Sequence, residues 1–392
     1  MNYILFDGTV RNQLLPFTYT RPVADIRVGI LTIREKWEKH LGFTTTTVTE
    51  DYLSAKWPLV ELEHNVMINA SYLPTPNLVE MIKGMTSNQA IFDGEEAIAF
   101  YVKEGEEVEF DSYDIIEYSY QDIFRIEHTW DIFSKNGRAI QEDFELLTAG
   151  RRSQPIPEAV HCINRDQIFL EEGAKIEVGI LNATNGPIYL GKDSEVMEGS
   201  IIRGPFGLGD HSQVKLGAKI YGPTSTGPYC KIGGEINNSV FFGYSSKGHD
   251  GFMGNSVIGE WCNWGADSNN SNLKNNYAPV KLWDYETGRF ANTGLQFCGL
   301  MMGDHSKCGI NTMFNTGTVI GVACNIYGSG FPRNFIPSFS WGGASGFVSH
   351  QLKKAFETAQ VAMGRRNIEL TAEDELVLTH VFDDTARYRK DG

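Results

Sequence analysis

From Val178 to Ile232 the chain reads VGILNATNGPIYLGKDSEVMEGSIIRGPFGLGDHSQVKLGAKIYGPTSTGPYCKI. Taking every sixth residue gives Val178, Thr184, Leu190, Val196, Ile202, Leu208, Val214, Ile220, Thr226 and Ile232, eight of them aliphatic and two Thr. A second column, four residues on, is almost entirely small: Ser194, Ser200, Phe206, Ser212, Ala218, Thr224 and Cys230. Gly191, Gly209, Gly227 and Gly233 directly follow first-column residues. Alternating helices or hairpins do not produce a six-residue lattice, whereas a coil with flat faces does. The aliphatic residue points inward, the small residue fits near a corner, and Gly permits the turn. Stacked coils then bury one continuous core.

Working outward, the lattice slips by two residues and resumes at Ile258 and Trp264. It breaks for a long excursion, about 269–300, and returns at Met302, Cys308, Phe314, Ile320 and Ile326. Cys230, Cys262 and Cys324 fall in the small column and Cys308 in the aliphatic one, which reads as packing rather than ligation. The repeat domain is expected over 169–337. A polar, proline-bearing stretch precedes it, so 151–168 reads as linker. HQLKKAFETAQVAMGRR and the stretch from Glu373 read as helices, making 338–392 a helical cap over the last coil.

Residues 1–150 read as an α/β domain. YILF, TTTTVTE and NVMIN are strand-like, VGILTIREKWEKHLG and NLVEMIKGM helical, AIFDGEEAIAFYV a hairpin, and 121–147 largely helical. Strands alternating with helices point to a mostly parallel sheet.

A formal net charge of −15 argues against a non-specific nucleic-acid or anionic-membrane binder. The start MNYILFDGTVRNQ has no basic stretch leading into an apolar run, so no secretory signal is expected. No apolar stretch approaches a membrane span. Six cysteines without CxxC or metal-like spacing fit a reducing, cytoplasmic setting.

The hexad lattice resembles the left-handed β-helix acyltransferases. Lys247-Gly248-His249-Asp250-Gly251-Phe252-Met253-Gly254-Asn255, followed by Val257-Ile258-Gly259 and Asn263, is similar to the acetyltransferase half of the GlmU family. The chain looks most like the variant form found in Bacteroidetes, and TRPVADIRVGILTIREKWE and GDHSKCGINTMFNTGTVIG extend the likeness over nearly the whole chain. The resemblance implies synthesis of UDP-N-acetylglucosamine from glucosamine 1-phosphate, acetyl-CoA and UTP, by a homotrimer with active sites between subunits.

It further implies that His249 is the general base. An imidazole near neutrality suits removal of a proton from the attacking amine. His249 stands where the lattice slips, so its side chain is expected to leave the packed column and face a groove. Lys219, Asn237, Phe252, Asn263, Ser271 and Asn272 fall on the family's positions for the amino-sugar phosphate. Lys219 replaces an Arg, Asn237 a Lys and Phe252 a Tyr, so a cation and phenolic hydroxyls are lost. Lys274 and Lys281 stand in the excursion as replacement charge. Ala266, Gly328 and Ser329 match small positions along the acetyl-CoA edge, and Arg333, Arg365 and Arg366 stand as cations for its phosphates.

In the first domain Gly8-Thr9-Val10-Arg11 follows the first strand, and Arg21-Pro22 stands where sugar-phosphate nucleotidyltransferases carry Lys-Pro. With Arg27 these cations suggest a triphosphate site. The family's Mg²⁺-binding Asp has no counterpart in Met67–Pro74, and Asp7, Asp25 and Asp93 are equal candidates to replace it. The metal ligands are therefore open, as is the choice between uridylyl transfer and a non-catalytic first domain. Two other readings stand beside the acetyltransferase: acetylation of a different amino-sugar phosphate, and a nucleotide-sensing scaffold without catalysis. A zinc hydratase on the same fold needs closely spaced His residues, and His211, His249 and His305 offer no close pair.

Overall fold

The computed structural model describes residues 1–389. The first domain is built on a six-stranded mixed sheet. Its strands are β1 (Asn2–Phe6), β2 (Thr46–Val48), β3 (His64–Asn69), β4 (Gln89–Asp93), β5 (Glu96–Lys103) and β6 (Asp114–Glu117), in the order β2-β1-β3-β5-β4-β6. The parallel half is β2-β1-β3, and β5 runs antiparallel to β3 and β4 through the expected hairpin. Helix α1 (Ile33–Leu41) opens on a Thr32–Glu35 capping box and stops at left-handed Gly42. After α2 (Asp51–Ser54) and α3 (Pro76–Lys83), the stretch expected to be helical from 121 begins later. Residues up to 128 are extended or looped, with Arg125 bridging Tyr72, before α4 (Thr129–Ser134) and α5 (Asn136–Thr148).

The rest of the chain winds into a parallel β-solenoid of about ten turns, capped by α6 (Leu352–Gly364) and α7 (Ala372–Asp384). Each turn crosses three faces in chain order. In the turn from Ser200, for example, the first face is Ser200–Arg203, the second Phe206–Leu208 and the third Gln213–Val214. The hexad reading holds from Leu190 to Ile232, where all eight column residues are buried. Strand registers stack Leu190 on Leu208, Val196 on Val214 and Ile202 on Ile220.

Three expectations need correction. The solenoid starts at Val160, inside the segment read as linker, because Val160–Ile163 already pairs with Gly179–Asn182 on the first face. Val178 and Thr184 are exposed, and the inward residues there are Ile176 and Leu181. Both errors have one cause. The opening turns are longer than eighteen residues (Leu170 stacks under Leu190), so the strict six-residue phase does not yet apply. At the other end the coil continues past Pro337 to Ser340–Gly343, which folds back on Gly346–Ser349 as an antiparallel hairpin. That hairpin caps the third face where an open edge would otherwise stand.

The first domain packs on the second face. Phe169 and Tyr189 point outward there and join Ile30, Ile140 and Phe144 in one apolar cluster, while Phe242 meets Phe17. Gly207 has no room for a Cβ, which would lie 2.8 Å from Ile30. Buried Arg21 ties the two parts together through Asp304 and, at 3.4 Å, Glu260. The helix α6 shades the third face. The first face stays open, with Ile163, Ile180, Ile201 and Tyr221 exposed.

Candidate functional site

The lattice slip has a structural cause that bears directly on His249. Between the turns of Ile232 and Lys247 the coil shortens, because the corner after Ile232 holds only Gly233 and Gly234 before the next strand. The corner after Lys247 is longer, Gly248 to Gly251, and carries His249. Gly234 lies directly beneath it: a Cβ there would come within 2.8 Å of the His249 carbonyl oxygen and the Asp250 Cα. The longer corner therefore overhangs the shorter one. His249 is exposed on this overhang, and its imidazole has no hydrogen-bond partner among the described residues.

Lys247, two residues earlier, occupies the inward column. It stands between Ile232 and Trp264 on the third face, where every other described turn carries an apolar side chain or Gly. Its side chain is 1% exposed. The Nζ donates to the carbonyl oxygens of Gly233 at 2.9 Å and His249 at 2.7 Å. Burial pushes the Lys247 ammonium down to a pKa of about 8, against a smaller opposing pull from Asp250. The lysine closes the long corner onto the short one and fixes the backbone that presents His249. The motif around His249 does not single out this residue. Its position does, since a lysine in an aliphatic column needs internal acceptors.

The registers assign most of the remaining candidate residues. Along the edge between third and first faces, His249, Ala266, Ile310 and Gly328 take equivalent positions in successive turns, with Ser329 next to Gly328. Asp267 N donates to Asp250 O, and Asn311 N to Ala266 O, which holds this stack in phase. Around the corner, on the first face, Lys219, Glu235 and Phe252 form one outward column and Tyr221, Asn237 and Gly254 the neighbouring one. The column continues upward as Phe252 N donates to Asn269 Oδ1. Asn272 reaches the same end of the face, its Nδ2 donating to Asn255 Oδ1 at 2.8 Å, with Ser271 beside it. His249 thus sits at the rim of a face carrying Lys219, Asn237, Phe252, Ser271 and Asn272.

Asn263 and Lys274 stand apart from that group. Asn263 faces outward on the third face, between Ser246 and Lys307, in a cleft beneath α6. Lys274 belongs to the excursion, where Lys281–Asp284 and Arg289–Asn292 form an antiparallel hairpin. It lines an open cavity of about 700 Å³ with Lys281, Trp283, Phe290 and Arg333. His211 and His305 lie on the edge between second and third faces, so they do not converge with His249.

In the first domain, Gly8 turns tightly with φ near 64° against the Asn69 side chain, at the carboxyl ends of β1 and β3. The three arginines do not gather there. Arg11 pairs with buried Asp7 at 2.6 Å and donates to the Tyr52 hydroxyl. Arg21 faces Asp304, and Arg27 donates to the carbonyls of Ile30 and Phe242. All three are buried and committed to protein partners, which corrects the expectation of a shared anion site. What the carboxyl edge does hold is Glu96 of β5, with Thr9 Oγ1 and Asn69 Nδ2 donating to it and Arg125 at 3.1 Å. This carboxylate comes from a strand neighbouring β3, a placement that needs the sheet order to be seen. Asp7, Asp25 and Asp93 do not join it: Asp25 pairs with Arg34, and Asp93 accepts from Tyr72. Among the described residues no three His, Cys, Asp or Glu side chains are grouped to hold a metal ion.

The sequence model of the sugar nucleotidyl transferase family matches residues 3–152. The first domain is nucleotidyltransferase-like. A curated relative, the bifunctional protein GlmU of Methanocaldococcus jannaschii, is 31% identical over 90 residues, covering 23% of this chain and 21% of its own. The chain therefore aligns with about a fifth of that relative's length. Among solved structures, the polySia specific acetyltransferase NeuO covers 52% of this chain and 91% of its own at 13% identity, with a TM-score of 0.27. No helix among the described residues is long and apolar enough to cross a membrane.

Proposed function

We propose that the solenoid transfers the acetyl group of acetyl-CoA to the amine of glucosamine 1-phosphate, with His249 as general base. The observation that carries this reading is the stack His249–Ala266–Ile310–Gly328 on one edge, with Lys219, Asn237 and Phe252 on the adjoining open face. The edge offers small residues at Ala266, Gly328 and Ser329, on either side of the exposed Ile310, where an extended thioester arm can approach backbone. The face offers Lys219 and, one turn below Tyr221, the exposed Arg203 as cations for a sugar phosphate. The His249 imidazole takes the proton as the amine nitrogen attacks the thioester carbonyl, and the coenzyme leaves as its thiol after the tetrahedral intermediate collapses. Loss of a cation at Asn237 leaves other amino-sugar phosphates as competing acceptors.

The exposed apolar residues of the same surface support an assembly. Leu216 and Ile310 lie on the His249 edge, and Ile163, Ile180 and Ile201 on the first face. A homotrimer, as the family resemblance implies, would cover them and close the site.

For the first domain, the commitment of Arg11, Arg21 and Arg27 to protein partners favours a second reading, an acetyltransferase with a non-catalytic front domain. Among the described residues, those at the carboxyl edge do not form a metal site by themselves. One incubation separates the readings: glucosamine 1-phosphate, acetyl-CoA, UTP and Mg²⁺, with products resolved by mass. The acetyltransferase reading expects free coenzyme A and N-acetylglucosamine 1-phosphate from wild type and neither from His249→Ala. UDP-N-acetylglucosamine appears only if the first domain is active. Absence of coenzyme release by wild type with every amino-sugar phosphate sinks the proposal.

A further inference from the structure

The cleft between α6 and the third face is a cavity of about 720 Å³, and His249 is not among the residues that line it. In a chain with net charge −15, it gathers Lys231, Lys307, Arg365 and Arg366 against a single carboxylate, Glu357. Among the described residues none of Lys231, Arg365 and Arg366 forms an ion pair or a side-chain hydrogen bond. The Arg366 Nε is buried and unpartnered. Burial, and then Arg366, Lys215 and Arg365, push the Lys231 ammonium pKa down, so these cations repel one another as they stand. Like charges gathered here with a single carboxylate among them favour an anion in the cleft.

The opposite wall of the cleft is equally unusual. The corner between second and third faces is left-handed in every turn from Asp193 to Phe339, with φ near +54° at Tyr244 and +61° at Trp261. That conformation suits Gly, Asn or Asp and penalises bulky side chains. Here five successive turns instead place His211, Tyr229, Tyr244, Trp261 and His305, stacked with interplanar angles of 9° to 21°. Their faces are occupied by one another, so Tyr244 and Trp261 turn ring edges into the cleft. Ring edges are the positive rim of an aromatic quadrupole and favour the negative face of another flat ring.

We propose that this cleft, which lies over the third face and does not include His249 in its lining, is a nucleotide site. Phosphates sit on Lys231, Arg365 and Arg366, and the base lies across the Tyr244–Trp261 edge. The size fits, since ligand pockets of this kind run from about 300 to 1,000 Å³. The occupant is a free nucleoside di- or triphosphate, and the nucleotide end of coenzyme A is the competing occupant that the test separates from it. The site is independent of the proposed role of His249.

The test is calorimetric titration of the full-length protein with UTP, UDP, ATP, coenzyme A and inorganic pyrophosphate, at two salt concentrations. Wild type, Arg365→Gln/Arg366→Gln, Lys231→Gln and His249→Ala are compared, with melting temperatures confirming that each is folded. The expected result is nucleotide binding that weakens with salt, falls at least tenfold in both cation variants and is unchanged in His249→Ala. Binding of free nucleotides but not coenzyme A assigns a separate nucleotide site. Binding of coenzyme A alone overturns the separate site and returns Arg365 and Arg366 to the acetyl-CoA phosphates. No binding by any nucleotide, or binding indifferent to both cation variants, overturns the proposal. Pyrophosphate binding as tightly as the nucleotides overturns the role given to the ring edges. Loss of acetyl transfer in His249→Ala without loss of binding keeps the two assignments distinct.

Discussion

The Nζ of Lys247, inside the coil, donates to the carbonyl oxygen of His249, outside it, at 2.7 Å. The bond crosses the corner that the lattice slip creates, and it makes the exposed histidine depend on a buried cation. The folded lysine titrates near pH 8 and the unfolded one near 10.5. Between those values the unfolded chain binds more protons, so stability rises with pH across that window and is insensitive to this group below it. Lys247→Met removes the effect. Wild type should gain up to about 3 kcal/mol relative to the variant between pH 8 and 10.5, read by urea unfolding at both ends. A constant difference would show that Lys247 titrates normally. At pH 7 the variant should stay folded but lose roughly tenfold or more in acetyl transfer, since the corner carrying His249 is no longer fixed.

Particular residues mark where the sequence was legible. The solenoid could be read because burial imposes one residue class at one spacing, and from Leu190 to Ile232 every column residue is buried and only Thr226 is not aliphatic. It became illegible where turns change length: at Val160–Leu181, where longer turns hide the phase, and at Lys247, where a short turn lets a polar residue into the column. The His249 edge adjoins the first face because register follows from the repeat, so that relation is carried by spacing. The side of Asn263 is not, because a count of residues does not say on which side of a corner a side chain falls. The fates of Arg11, Arg21 and Arg27 were beyond the sequence altogether, for their partners lie up to 283 residues away.

Arg21 clamps the two domains. Its guanidinium pairs with Asp304, approaches Glu260 and lies 5.0 Å over the Phe242 ring. Arg21→Met leaves two neighbouring carboxylates without their cation, an arrangement that typically costs about 3–5 kcal/mol. Burial already raises the Glu260 carboxyl pKa, with Arg21 opposing the rise, so removing Arg21 raises it further. A folded carboxyl with a raised pKa holds its proton while the unfolded one has lost it, so stability falls as pH rises above about 4.3. The variant's deficit should therefore be smaller at pH 5 than at pH 8 by denaturant unfolding. An equal deficit at both would mean that Glu260 is not the group left exposed to repulsion.

The cysteines should be inert in the folded chain. Cys230, Cys262, Cys298, Cys308 and Cys324 are buried, and only Cys162 is partly accessible. Burial pushes the thiols of Cys230 up to about 12, and of Cys308 and Cys324 up to about 11, leaving almost no thiolate at neutral pH. Thiol-reactive dye at pH 7 should label one position at most in native protein, and all six after denaturation. Rapid native labelling of a second thiol would show that the coil opens locally.

Leu216 and Ile310 flank His249 on its own edge, two turns below and two turns above. With turns about 4.8 Å apart, each lies roughly 10 Å from the histidine along the solenoid axis. Their side chains are 66% and 70% exposed, among the most exposed large apolar residues of the chain. A second copy that covers both must pass over His249, so an assembly through this surface would also shut water from the site. Leu216→Glu/Ile310→Glu should leave protomer stability within about 0.5 kcal/mol per substitution, since both positions are solvent-facing. In sedimentation velocity the wild type should run as an assembly and the double variant as a monomer, with acetyl transfer falling in parallel. A monomeric wild type that still transfers acetyl groups would show the edge to be complete in one chain. An intact assembly in the double variant would place the interface elsewhere.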